Sequence, residues 1–397
     1  MVLSPSVLFA LAAIGILGPF GTDVYLPALP AMAREFAVSP VTIQFTLTAF
    51  TLGMALGQII LGPLSDRFGR RPFILGGSTL TIFISSWAAL AQSASALIFA
   101  CGLLGLAAAG GLVTGRAVVS DLVSGREANR GFSLLGMMVG IGPILAPVGG
   151  AIAMAVGGSW RSIFWALAGF ALVVSVLGLF LVPESLKPED RHSGGFVSMV
   201  KAGGKILGNR IYLAYGLVIV FSFGAMFGYI AYSSYIIEDI LGWTPSQYSV
   251  IFACNGILLM FTGMISARLA KTWDPRKILR IAITMNLTGA LGMLAVCLSG
   301  VISNFTVLPL LALMASSMGF LFGPATAVAL IQVRQNAGTA LALTGATQFV
   351  IAGIVAVLVG IESSNRLLPF SVVVSACTLL AGVCAWLGGR ASRGLEI

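Results

Sequence analysis

An all-α membrane protein, with twelve transmembrane helices in two pseudo-symmetric six-helix bundles, is the fold class this sequence predicts. Three observations lead there. The chain is 58% hydrophobic and 9% charged, with a mean hydropathy of +1.02. A water-soluble domain carries about 25% charged residues, so this chain cannot cover a solvated surface. Its apolar residues fall into twelve runs near the ~20 residues a helix needs to cross the hydrocarbon slab. The longest polar segment, 183–210, divides those runs six and six.

In chain order the runs lie near 7–31, 42–63, 73–92, 95–119, 132–156 and 161–182, then 211–236, 246–267, 277–300, 305–332, 338–360 and 367–389. Glycine or proline interrupts many of them, which lipid tolerates when neighbouring helices satisfy the freed backbone groups. The runs are too long for strands and lack period-2 alternation. The expected organisation is an N-terminal bundle over 1–182, a cytoplasmic linker over 183–210 and a C-terminal bundle over 211–397. The linker can hold a surface-lying amphipathic piece around 196–207. A weak echo joins the halves: GPLSDRFGRRPFIL follows the second run and ARLAKTWDPRKIL the eighth. Duplicated bundles are what rocking carriers are built from.

Basic residues set the orientation. With the N-terminus inside, 18 of the 22 Lys and Arg fall in cytoplasmic spacers or the tail, Arg34, Arg161 and Arg366 fall on the opposite side, and Arg116 sits near the inner end of the fourth run. Positive residues stay inside, so both termini are expected in the cytoplasm of a multi-pass protein of the cell (inner or plasma) membrane. The opening MVLSPSVLFALAAIGILG lacks a basic start and its apolar run is long, so no cleavable signal is expected.

The net charge of +9 does not point to nucleic acid, because the charges sit in short spacers rather than on a solvated basic face. Cys101, Cys254, Cys297, Cys377 and Cys384 lie within apolar runs without ligand spacing, and the lone His192 lies in a charged spacer. No disulfide framework or metal site is expected. No GxxxxGK[ST] occurs, so no nucleotide cofactor is expected and the energy source must be a gradient. Neither is enzyme chemistry, since the apolar runs contain no cluster of acids.

Four stretches stand out: TDVYLPALP at 22–30, GPLSDRFGRRP at 62–72, RAVVSDL at 116–122 and GPILAPVGGAIA at 142–153. The second reads as a tight cytoplasmic turn, with Gly62 before it, Gly69 relaxing the backbone, Arg67, Arg70 and Arg71 fixing the inside face, and Asp66 available to pair. Together the four resemble the major facilitator superfamily, in particular its drug/proton antiporters of the bicyclomycin and chloramphenicol resistance type. The resemblance implies that Asp66 approaches the helix N-terminus around Gly338–Thr339, that Arg70 bridges to Asp121, and that this network latches the cytoplasmic side. It also implies that Gly142, Pro143, Pro147, Gly149 and Gly150, with Gly136 and Gly140, form the antiporter helix associated with export. A generic kinked helix would use the same residues.

The chain departs from the family pattern twice. An arginine midway along the fourth helix is usual, and this chain has Cys101 there. Arg116 is one substitute, although near a helix end it can snorkel or pair with Asp121. Lys271 stands at the echo position of Asp66, so the second-half gate is degenerate.

Asp23 is the one lone acid inside a run. About 24 Å along a helix from Val7, it falls in the outer half of the first span. An acid there costs at least about 2.5–3.5 kcal/mol, so it normally faces a cavity and has a task. Burial disfavours the charged carboxylate, which makes Asp23 the candidate for proton coupling. The alternative is that the span ends near Gly21 and Asp23 caps an external loop.

A cavity for small lipophilic substrates needs apolar walls with a few polar anchors. Tyr25, Gln44, Gln58, Asn255 and Gln348 are the uncharged polar candidates. Phe221, Phe227, Tyr229, Tyr232 and Tyr235 could form an aromatic wall. Core packing, an interfacial belt or helix–helix hydrogen bonds explain the same residues. The expectation is a monomeric proton-coupled exporter of amphenicol- or bicyclomycin-like compounds, working with protons in a lipid bilayer and with no cofactor. The alternative is a carrier of a metabolite such as an amino acid or sugar.

Overall fold

The computed structural model describes residues 4–123, 142–186, 189, 191, 204, 206–333, 337–361 and 367–392. Among these, eleven helices are long and apolar enough to cross a membrane, and Gly142–Gly157 is a shorter apolar helix that completes twelve. No strand occurs among the described residues. The chain divides into two compact units. The first comprises Met1–Val197 with Thr244–Ala253, and the second Ser198–Trp243 with Cys254–Ile397.

In the first unit the helices are α1 (Pro5–Asp23), α2 (Leu29–Glu35), α3 (Pro40–Phe68), α4 (Arg70–Ala89), α5 (Ala94–Leu122), α6 (Gly142–Gly157) and α7 (Arg161–Leu181). Serine caps begin three of them. The hydroxyls of Ser4, Ser39 and Ser93 accept from the amides of Val7, Thr42 and Ala96, satisfying donors that the helix leaves open. α5 is central and packs against α1, α3 and α4. Its crossing with α3 is close enough that a Cβ at Gly53 would overlap the Gly102 carbonyl and one at Gly105 the Phe50 carbonyl. Small residues provide such approach in membranes, where no hydrophobic force drives helices together. Leu11, Ile14, Ile74, Val118 and Val174 form the core of this unit.

The tight turn expected around Gly69 is present, but the helix before it runs beyond the apolar run that ends near 63. α3 remains helical through Pro63, Ser65 and Asp66 to Phe68, and the turn is a single residue, Gly69, at φ +104 and ψ 159. Polar residues at a helix end that reaches water carry no desolvation cost, so the helix outlasts its apolar run.

The second unit holds α8 (Arg210–Ser234), a π-turn over Tyr235–Ile240, most of α9 (Pro245–Leu269), α10 (Pro275–Ser299), α11 (Asn304–Leu330), α12 (Ala337–Val359) and α13 (Leu368–Ala391). α8 is its central helix, against α11, α12 and α13. Asn286 donates to the Ser317 hydroxyl at 2.9 Å and accepts from Thr378 at 2.8 Å. This fully buried triad ties α10, α11 and α13 with hydrogen bonds that hydrocarbon cannot replace. Apolar side chains such as Phe83, Phe180, Leu298 and Phe305 are largely exposed, the surface that lipid covers.

Candidate functional site

The break in the first span follows from Pro27. A continuing helix would need the residue 27 amide to donate to the Asp23 carbonyl, and proline has none. α1 therefore ends at Asp23, a 3-10 turn over Leu26–Ala28 follows, and α2 resumes at Leu29. Asp23 is only 3% exposed. The helix does end at Asp23, and the chain stays buried on both sides of the break. The Thr22 hydroxyl donates back to the Pro19 carbonyl at 3.1 Å and is the polar side chain beside the Asp23 carboxyl. The described ion pairs do not include Asp23.

Two residues on, Tyr25 is fully buried. Its ring stacks on Phe164 with centroids 5.5 Å apart. Its hydroxyl lies beside Thr46 and Cys101, with Asp23 in electrostatic reach, but without a geometrically formed hydrogen bond. Cys101, the residue standing in place of an arginine, thus faces the same buried pocket of polar atoms as the acid. Gln44, one helical half-turn from Thr46 on α3, is also fully buried.

α6 closes on this break. A Cβ at Gly142 would sit 2.6 Å from the Pro19 Cβ, and one at Gly150 would overlap the Val24 carbonyl. These two glycines bring α6 against the backbone on either side of Asp23. Gly149 has open space instead, and Pro143 is half-buried. The Pro147 carbonyl accepts from the Ser249 hydroxyl at 3.1 Å, inside the same compact unit.

At the other end of this unit a dense network surrounds the one-residue turn. Arg70 forms an ion pair with Asp66 one turn before it, donates from Nε to Asp121 at 3.0 Å and from Nη1 to the Ser65 hydroxyl at 2.8 Å. Glu184, from the segment after α7, accepts from the Arg70 amide at 2.9 Å and the Arg71 amide at 3.2 Å. It caps α4, where both open amides and the helix dipole favour an anion. Ser185 donates to Asp121 at 2.9 Å, and Arg71 donates to the Leu179 carbonyl at 2.7 Å. A Cβ on Gly69 would lie 2.5 Å from the Glu184 Oε2 atom. Gly62 sits against Val113 at van der Waals distance. Arg67 lies 5.2 Å over the Phe68 ring, and Arg116 is exposed on α5.

In the second unit, Asn255 donates to the Tyr229 hydroxyl at 2.8 Å, bringing two sequence candidates together. Tyr232 stacks on Tyr235 at 5.5 Å and on Phe370 at 6.2 Å. Phe227 is buried, Phe221 and Gln348 half-buried. The centre of the aromatic group is a residue that sequence reasoning passed over. Phe223 meets Phe227 at 6.0 Å, Phe322 at 6.3 Å and Phe349 at 5.4 Å. Its i, i+4 relation to Phe227 was the available signal. Glu184 is the other missed residue. Gly136, Gly140, His192 and most of the 196–207 piece lie outside the described residues, as do the surroundings of Gly338.

Comparison with known proteins identifies the family. The chain belongs to the Major Facilitator Superfamily, whose family description matches residues 11–357. It is 30% identical to the MFS-type transporter YdgK of Bacillus subtilis, over 96% of this chain and 94% of that one. It is 29% identical to the bicyclomycin resistance protein homolog of Haemophilus influenzae, over 94% of each. The multidrug resistance protein MdtL of Escherichia coli is 26% identical over 93% and 92%. Among solved structures, the inward-facing, occupied bacterial homolog of the human lysosomal transporter Spinster superposes with a TM-score of 0.75 at 16% identity, over 98% and 97% of the two chains. The D-xylose–proton symporter gives 0.71 at 14%, over 95% and 96%. The chain is a multi-pass membrane transporter of small substrates and not an enzyme.

Proposed function

We propose that this chain exports small lipophilic compounds, of amphenicol or bicyclomycin type, in exchange for protons. The observation that carries the reading is Asp23, an acid closed off from water at a helix break and outside the described ion pairs. A carboxyl in that position loses little by staying neutral and can ionise when a path to water opens. Proton and substrate then exclude each other from one state of the carrier. The printed names of two relatives, a bicyclomycin resistance homolog and a multidrug resistance protein, support the substrate class. The near absence of charge in the spans supports an uncharged cargo.

In this reading the bundles 1–182 and 211–397 rock about the linker 183–210, both termini face the cytoplasm of the cell membrane, and a monomer suffices. Asp66, Arg70 and Asp121, with Glu184 and Gly69, form the cytoplasmic latch. Tyr25, Gln44, Phe227, Tyr229, Tyr232, Asn255 and Gln348 face the cargo during the cycle. The antiporter helix α6 transmits motion to Asp23 through its contacts at Pro19 and Val24.

The test is transport into proteoliposomes under an imposed pH difference, using an amphenicol, bicyclomycin, a sugar and an amino acid as candidate cargoes. One-for-one exchange of a neutral drug predicts accumulation of about tenfold per pH unit, lost when a protonophore collapses the gradient. Uptake of only the sugar or amino acid would replace this reading with the metabolite carrier.

A further inference from the structure

One end of the second unit carries two adjoining clefts that the transport reading does not use. The first, about 480 Å3, lies among α8, α10 and α13 and is lined by Asp274, Arg276, Arg280, Trp386 and Arg390, with Leu279 and Ile283 deeper. The second, about 520 Å3, lies on the other side of Arg390, where Arg210 joins the rim and Leu213, Leu217 and Leu387 form the wall. Arg390 is shared by both. Each cleft is thus cationic at the helix ends and apolar toward the helix middles.

Part of this charge is already committed. Arg276 donates from Nε to Asp274 at 3.0 Å and from Nη1 to the Ser392 carbonyl at 2.9 Å. Asp274 also caps α10 through the Arg276 amide. The Arg276 side chain holds that carboxyl below the usual carboxylate range, so Asp274 and Arg276 cancel at neutral pH. Asp274 is the one acidic residue among those lining either cleft. Arg210, Arg280 and Arg390 remain as the excess charge, and all three are exposed.

The aromatic partner fixes the level. The Arg390 guanidinium lies 3.7 Å over the Trp386 ring, a contact on the ring face that leaves its N–H donors available to an anion. Trp386 is 55% exposed, and Val383 and Leu387 on the same helix about half exposed. An indole at a helix end, above apolar side chains, marks the headgroup level of a bilayer. Cation above, hydrocarbon below and an indole at the boundary match one ligand chemistry, a phosphate diester with acyl chains.

We propose that these two clefts bind an anionic phospholipid, with its phosphate held by Arg280, Arg390 and Arg210 and its chains along Leu213, Leu217, Ile283 and Leu387. Basic pockets between transmembrane helices are known to take such headgroups. The leaflet rests on the orientation proposed above; the site itself does not depend on what is transported.

The experiment is native mass spectrometry of the full-length purified protein, titrated in detergent with phosphatidylglycerol or phosphatidylcholine. A membrane-adjacent Arg contributes about five-fold in affinity. The double variant Arg280→Gln/Arg390→Gln should therefore hold phosphatidylglycerol about 25-fold more weakly, while Lys271→Gln, which lines neither cleft, should match the parent. Equal retention in the double variant, or equal binding of phosphatidylcholine by the parent, overturns the proposal. So does full displacement by glycerol 3-phosphate, which would make this a soluble-phosphate site. Should the double variant misfold, quenching by doxyl-labelled phosphatidylglycerol decides instead. It should exceed quenching by doxyl-labelled phosphatidylcholine in the parent, and the excess should vanish in Trp386→Phe. No excess in the parent would overturn the site. None of these outcomes touches drug export.

Discussion

The two acidic regions of the first unit are built on opposite principles. Asp23 sits 3% exposed at a helix break, with a threonine hydroxyl as its neighbour and outside the described ion pairs. Asp66, Asp121 and Glu184 sit at the helix ends around Gly69, each tied to Arg70 or to the amide that opens α4. Arg70 paired with carboxylates from two helices fixes their relative geometry, which suits a latch. In the proposed cycle the acids around Gly69 hold geometry and Asp23 changes state.

The substitution expected to act most strongly is Asp23→Asn, which removes the exchangeable proton. Gradient-driven accumulation should fall from about tenfold per pH unit to none, while drug binding, followed by tryptophan quenching, survives. Next is Arg70→Gln. It strands Asp66 and Asp121 together, and thermal unfolding in detergent should report a loss of about 1–3 kcal/mol, with slowed transport. Gly69→Ala should cost about 1–3 kcal/mol, because φ +104 with ψ 159 is a glycine-only conformation and the new Cβ would displace Glu184. Its unfolding midpoint should drop, and an unchanged midpoint would mean that the turn is not fixed as described. The mildest is Tyr25→Phe. Its hydroxyl makes no formed hydrogen bond, so stability should stay within about 0.5 kcal/mol. Slower export with intact stability would assign Tyr25 to the cargo path, and unchanged export would leave it to packing against Phe164.

Much of this contrast was legible in the residues themselves. Asp23 stood out because it is a lone acid in an apolar run, and the latch because GPLSDRFGRRP is a dense local pattern. What lay hidden was long-range. Glu184 caps α4 from 114 residues away, and the sequence marks it only as the start of a polar linker. Helix ends were misjudged for a related reason. Apolar runs report where lipid is expected, whereas α3 continues past Pro63 to Phe68, held at its end by Ser65 and Arg70. Cys101 was recognised as a vacated arginine position, but only packing reveals that Tyr25 faces it. The aromatic centre at Phe223 is an i, i+4 neighbour of Phe227 on one face of α8, a relation that a simple row of aromatics does not display.

The most direct test is proton movement itself. Proteoliposomes carrying the unmodified protein and an internal pH dye, with no gradient imposed, are given a neutral amphenicol on one side. The account predicts proton flow opposite to the drug in the parent protein and none above background in Asp23→Asn. Drug-driven proton flow of equal size in both proteins would contradict it.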